Sequence, residues 1–280
     1  TTLIWSGNIV AGRLAGDQIS PMALVTLRWF VACSLMAPLV AGELKRDLPA
    51  LAANWKRVAL MGMLGFTGYN ALYYAGARYT TGVNLAILQS VTPIMVMIAS
   101  TVLFRQSIRA PQWIGLALTV VGVATIAAQG ELTSLAGLQM NKGDLWCLIA
   151  CALFAFYSLA LRDRPSVSPL SLFAAMAGAA FLVSLPLLAY EIAQGWFVAP
   201  TPTGWLLLAY VGVGPSFAAQ LLYMRGVALI GPARAGVYYN LVPVFGAMLS
   251  VAILGEPFRL YHAAAMALVR AGIWIAERKG

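Results

Sequence analysis

The sequence predicts an all-α integral membrane protein of ten transmembrane helices, built as two inverted five-helix repeats. Three observations carry that prediction. The 280 residues are 61% hydrophobic and only 10% charged, with a mean hydropathy of +0.82, which leaves too little polar surface for a water-soluble globule. Apolar segments of roughly 20 residues, the length that crosses a hydrocarbon core of about 30 Å, recur along the whole chain. The two halves also share their punctuation: an offset of 150 residues pairs Trp55 with Trp205, Gly62 with Gly212, Tyr73 with Tyr223, Pro93 with Pro243 and Gly122 with Gly272. An offset of 148 pairs Ser20-Pro21 with Ser168-Pro169, Pro38 with Pro186 and Glu43 with Glu191.

Helices are the only spanning structure that fits, because the alternating pattern of a membrane β-barrel is absent and backbone groups in lipid must be satisfied within the segment. The first span, 2–15, opens at Leu3 and Ile4 and carries Trp5 and Asn8. The second, 21–41, follows Ser20-Pro21 and carries Arg28 within its apolar run. The third, 57–77, places Asn70, Tyr73, Tyr74 and Ala77 on one face by the i, i+3, i+4, i+7 rule. The fourth, 83–104, carries Asn84, Gln89 and Thr92 ahead of Pro93, and the fifth covers 111–129. In the second half, 143–161 carries Phe154 and Tyr157, 169–190 follows Ser168-Pro169, and 204–225 holds Gln220 and Tyr223, which match Asn70 and Tyr73. Span nine, 233–254, carries Tyr238, Tyr239 and Asn240 ahead of Pro243, and span ten is 260–276. The repeats are residues 1–130 and 141–280, and no connection is long enough to hold a soluble domain.

The net charge of +9 is a topology signal rather than a nucleic-acid footprint, because the cations fall in short connections. With a cytoplasmic amino terminus, Lys45, Arg46, Lys56, Arg57, Arg105, Arg109, Arg162, Arg164, Arg225, Arg234, Arg278 and Lys279 are cytoplasmic, and only Arg13, Arg78, Lys142 and Arg259 are outside. Both termini are therefore expected in the cytoplasm. No cleavable signal pattern is expected; the missing initial Met suggests that the first span has lost a few residues. Cys33, Cys147 and Cys151 lie in apolar stretches, odd in number and without His or carboxylate neighbours, so they are read as packing residues and no metal or cofactor is expected.

Five spans per half is an odd number, so the second copy enters the membrane from the opposite side. Inverted repeats are a transporter device: two like halves exchange conformations and expose one central site to either face in turn. Three further motifs carry a family likeness: the apolar run Asn84 to Thr92 ending at Pro93, its partner Gly236 to Val242 ending at Pro243, and the short acidic turn Leu254-Gly255-Glu256-Pro257. With these, essentially the whole chain resembles the drug/metabolite transporter superfamily with two EamA-type domains, and within it the YddG-type exporters. That resemblance implies export of aromatic and other neutral amino acids across a bacterial inner membrane. The chain departs from the pattern twice. Gln106 stands where the repeat would put a second Glu256, and Arg270 interrupts a last helix that is normally apolar.

Polar side chains within spans are costly against lipid, so they are expected to face the bundle or a cavity. The expected lining is Trp5, Asn8, Asn70, Tyr73, Tyr74, Asn84, Gln89, Phe154, Tyr157, Gln220, Tyr223, Tyr238, Tyr239 and Asn240. Aromatic faces of that kind hold an apolar side chain, and amides and hydroxyls bond an ammonium and a carboxylate. The competing reading is that Asn and Gln bridge helices and Tyr packs or anchors at the interface. Pro93 and Pro243 each remove a helical hydrogen bond and are candidate hinges or static kinks. Gly62, Gly65, Gly68 and Gly76 are expected to permit close helix contact. For Arg28 and Arg270, snorkelling or pairing competes with substrate-carboxylate binding. The nine acids lie at or near span ends, so no carboxylate relay across the midplane is expected. No Ser/His/Asp, paired-acid or HExxH arrangement points to catalysis. The remaining alternatives are a multidrug or other metabolite exporter of the same fold, and a receptor or structural protein that moves no solute.

Overall fold

The computed structural model describes residues 1–15, 18–77, 79, 82–105, 108–131, 141–255 and 257–277. Among these residues there is no strand; the chain is a bundle of helices. In order they are α1 (Thr2–Ala15), α2 (Pro21–Ala53), α3 (Trp55–Gly62), α4 (Tyr69–Ala77), α5 (Gly82–Phe104), α6 (Ala110–Ala127), α7 (Lys142–Ala160), α8 (Pro169–Ala193), α9 (Pro202–Val211), α10 (Ala219–Ile230), α11 (Pro232–Tyr239), α12 (Leu241–Leu254) and α13 (Leu260–Glu277). Two π-helical segments, π1 (Met63–Gly68) and π2 (Gly212–Ala218), join α3 to α4 and α9 to α10 without a break. Among the described residues, five stretches are long and apolar enough to cross a membrane: 21–53, 142–160, 169–193, 202–230 and 232–253.

Two boundaries differ from the expected spans. Helix α2 runs on to Ala53 rather than ending near 41, passing through Gly42 and Pro49, as an amphipathic extension whose Asp47 and Leu51 are buried. The expected ninth span is divided at Asn240 into α11 and α12, where the Asn240 N–H turns back 3.2 Å to the Val237 carbonyl. Pro243 therefore lies in the first turn of α12, where its missing N–H costs no intrahelical bond. Its counterpart Pro93 sits inside the continuous helix α5.

The helices pack in pairs drawn from the two halves: α6 on α13, α2 on α8, α1 on α12 and α5 on α7. Helices α6 and α13 approach backbone to backbone, since a Cβ on Gly115 would collide with the Gly272 carbonyl, and one on Gly122 would lie 2.7 Å from Val269. Helices α2 and α8 are antiparallel, and each supplies a carboxylate to the other's first turn. Glu191, near the end of α8, accepts from Ser20 Oγ (2.6 Å), Met22 N–H (3.1 Å) and Ala23 N–H (3.2 Å) at the start of α2. Asp47, near the end of α2, accepts from the Ser168 N–H at the start of α8 (2.9 Å). A carboxylate at a helix N-terminus satisfies orphan N–H groups and complements the dipole. The Ser168 bond holds the Asp47 carboxyl below its ordinary range. Asp144 closes a capping box with Asn141 at the start of α7. These buried acids are helix caps.

Candidate functional site

The site is built where α1, α4, α7, α10 and α11 converge. Trp5 on α1 lies 5.2 Å from Tyr223 on α10, 5.7 Å from Tyr239 on α11 and 6.1 Å from Phe154 on α7, centroid to centroid. Phe154 is the hub, touching Tyr69 (5.3 Å), Tyr223 (5.4 Å), Tyr239 (5.5 Å) and Tyr157 (5.6 Å) as well. Tyr73 and Tyr74 extend the array along α4. Both halves of the chain therefore contribute rings to one cluster, with offset and edge geometries that suit aromatic quadrupoles.

Each hydroxyl at the centre is tied to a neighbour from another helix. Tyr69 and Tyr239 share a 2.8 Å bond, Tyr223 and Ser158 a 2.7 Å bond, and Gln220 donates to the Tyr157 hydroxyl at 2.7 Å. Asn8 donates to the Tyr74 hydroxyl at 3.2 Å, and the Trp5 indole N–H donates to the Pro215 carbonyl in π2 at 3.1 Å. The cluster is thus a wall of ring faces with its polar edges oriented by hydrogen bonds.

The π segments explain why these side chains converge. A π turn inserts one residue into the helical ladder and redirects the side chains that follow, and such bulges recur at functional sites. Here π1 precedes Tyr69, Asn70, Tyr73 and Tyr74, and π2 precedes Gln220 and Tyr223. Gly65 in π1 leaves room for the Tyr157 ring, with which a Cβ would collide. Carbonyls beside the π segments are taken up by side chains: Asn70 Nδ2 donates to Phe66 and Ser216 Oγ donates to Val211 at 2.7 Å. Between them lies Arg28. Its Nε donates to Ser216 Oγ (2.7 Å), and its Nη1 donates to Asn70 Oδ1 (2.9 Å) and the Tyr74 hydroxyl (3.3 Å). Arg28 is 4% exposed, whereas Arg270 is exposed on α13.

Of the residues expected from the sequence, Trp5, Asn8, Asn70, Tyr73, Tyr74, Phe154, Tyr157, Gln220, Tyr223 and Tyr239 are brought together. Tyr238 is half-buried beside Tyr239 on α11, and Gln89 is buried on α5 one turn before Pro93. Asn240 goes elsewhere, donating to Thr119 Oγ1 on α6 at 2.7 Å. The side chain of Asn84, and the residues Gln106 and Glu256, lie outside the described residues. Tyr69, absent from the expected set, is central; as the residue four before Tyr73, it lies on the same helical face. A cavity of about 440 Å³ opens beside the cluster, lined by Arg162, Arg164, Val167, Val227, Gly231 and their neighbours. Its wall residues Leu161 and Val227 belong to the same core as Tyr157 and Tyr223.

The EamA-like transporter family model matches the chain twice, over residues 1–128 and 141–277. The chain belongs to the EamA-like transporter family. Family membership and the long apolar helices make it an integral membrane protein whose relatives are transporters, within the drug/metabolite transporter superfamily. An uncharacterized transporter of Bacillus subtilis, YetK, is 28% identical over 282 residues, covering 99% of this chain and 84% of its own. A probable terminal-alkyne amino-acid exporter of Streptantibioticus cattleyicolor is 25% identical over 283 residues, covering 100% and 91% respectively. A solved crystal structure shares the fold with a TM-score of 0.82 at 20% identity, over 99% of this chain and 93% of that one.

Proposed function

We propose that this EamA-family protein exports small neutral solutes, aromatic and other neutral amino acids foremost, from the bacterial cytoplasm by alternating access. The observation that carries the reading is the ring cluster itself. Trp5 and Tyr69 from one half meet Phe154, Tyr223 and Tyr239 from the other, so a solute held there is gripped by both moving parts. The amino-acid exporter among the relatives supports the same solute class.

Two inverted five-helix repeats, ten spans in all, are supported by how the connections meet. Threading the chain ten times through a bilayer of the inner membrane, with both termini cytoplasmic, assigns the connections alternately to two faces. On one face Ser20 bonds Val198 and Glu191, Thr201 bonds Gln18, and Tyr79 packs on Trp146. On the other, Asp47 bonds Ser168, Arg57 pairs with Asp163 at 3.9 Å, and Arg162 lies over Phe104. Every one of these contacts joins connections that the threading assigns to the same face. Repeat-equivalent helices packed antiparallel, as α2 is on α8, are what a two-fold axis in the membrane plane requires.

The cavity lined by Arg162 and Arg164 then lies at the cytoplasmic mouth, against the ring cluster. Its basic lining disfavours lipophilic cations and so weighs against a multidrug exporter. Competition for saturable uptake of labelled phenylalanine into proteoliposomes tests this reading. Neutral amino acids should compete and lipophilic cationic dyes should not; the reverse order would assign the protein to drug export.

A further inference from the structure

Arg28 is a permanent cation placed where a charge is most costly, inside the bundle and 4% exposed. Its described partners are all neutral: Ser216, Asn70 and Tyr74 by hydrogen bonds, and the Trp29 ring, whose centroid lies 5.5 Å away. The buried carboxylates Glu191, Asp47 and Asp144 are occupied at helix N-termini. Buried guanidinium groups are ordinarily paired with an anion; among the described residues no carboxylate faces this one, and none accepts a hydrogen bond from its Nη2. The group is nonetheless held firmly, because Ser216 belongs to π2, Asn70 follows π1, and each of these partners is itself anchored on a backbone carbonyl. A cation fixed at two points with one nitrogen uncommitted is preorganised for a ligand oxyanion.

The surroundings narrow the chemistry. Tyr74, bonded to Arg28, continues through Tyr73 and Tyr69 into the ring cluster, so the anion should carry an apolar or aromatic body. With one buried guanidinium and no second cation beside it among the described residues, a single negative charge is matched better than a phosphate dianion. We propose that Arg28 binds the carboxylate of the transported solute, which is therefore an amphipathic monocarboxylate such as a zwitterionic amino acid and not the corresponding amine. The inference rests on the transport reading above and specifies which half of the solute is recognised by charge. The half of the chain from 141 onward has no equivalent cation, Met176 and Gly178 standing at the matching offsets, so the carboxylate is held by one repeat alone.

The test is a competitor series against labelled phenylalanine uptake: phenylalanine and 3-phenylpropionate, which keep the carboxylate, and phenethylamine, which lacks it. Wild type should show phenethylamine weaker than phenylalanine by about 30-fold or more, as expected for loss of a desolvated charge pair, with 3-phenylpropionate still competing. Arg28→Gln, shown folded by its melting midpoint, should lose that discrimination, and Arg28→Lys should keep part of it. Phenylalanine uptake in which phenethylamine competes equally would overturn the role of Arg28 while leaving the transport reading in place. Absence of uptake by correctly inserted wild type would remove both. Equal competition by phenethylamine in wild type overturns the proposal even if the variants fail to fold.

Discussion

Replacing Glu191 by Ala tests whether distant carboxylates fix the ends of α2 and α8. Glu191 is 4% exposed and accepts three hydrogen bonds, from Ser20 Oγ and the N–H groups of Met22 and Ala23. Hydrogen bonds to a charged group contribute about 1.5–3 kcal/mol each, but three on one carboxylate are not additive. The cap residue Ser20 makes no side-chain bond to its own helix because its hydroxyl is given to Glu191. Once released, it can cap α2 and recover about 1 kcal/mol. The net cost is therefore about 2–3 kcal/mol for Glu191→Ala, and less for Glu191→Gln, which keeps one acceptor. At roughly 2–4 °C per kcal/mol for a chain of this size, the melting midpoint in detergent should fall by about 5–10 °C. Glu131→Ala, at an exposed acid, is the control and should change the midpoint little. A Glu191→Ala protein melting with that control would refute the capping argument.

Gly65→Val should displace the Tyr157 ring, with which even a Cβ collides; overpacking of this kind costs about 1–3 kcal/mol, read as a lower midpoint together with lost uptake. For Asp47, whose carboxyl is held below its ordinary range by the Ser168 N–H, the stabilisation is complete above the unfolded pKa of about 4. It is lost as pH falls through the depressed folded value, so wild-type midpoints should drop in acid more steeply than those of Asp47→Asn. Tyr69→Phe and Tyr239→Phe each remove one side of a 2.8 Å bond. A double-mutant cycle on unfolding should give a coupling of about 1 kcal/mol, and additive effects would mean that the bond contributes nothing.

Much of this arrangement is legible in the sequence, and the physical reasons separate what is from what is not. Span length, set by bilayer thickness, exposes the helices, and helical spacing places Asn70, Tyr73 and Tyr74 on one face. Matched Trp, Gly and Pro positions fall in the two segments that the family model matches. Tyr69 satisfies the same spacing rule and was readable by extending the stripe one turn back. The π segments were not readable, since a local gain of one residue per turn leaves only glycines and, in π2, Pro215 behind, and these equally mark close packing or a simple kink. The 148-residue offset sets Glu43 opposite Glu191, but it does not say which acid reaches the facing helix. Asp47 makes the bond to the facing helix, because reach to Ser168 decides the cap and sequence position does not. Asn240 carries the right chemistry for the cluster, but the break between α11 and α12 turns it onto Thr119.

Alternating access through a site shared by both halves is tested most directly by trans-stimulation. Proteoliposomes are preloaded with unlabelled phenylalanine or left empty, and the initial rate of labelled phenylalanine entry is compared in the two. A carrier whose loaded site reorients between faces should take up label several-fold faster into preloaded vesicles, with Tyr239→Ala abolishing the difference. Uptake no greater than in protein-free vesicles, or equal rates with and without preloading, would contradict the account.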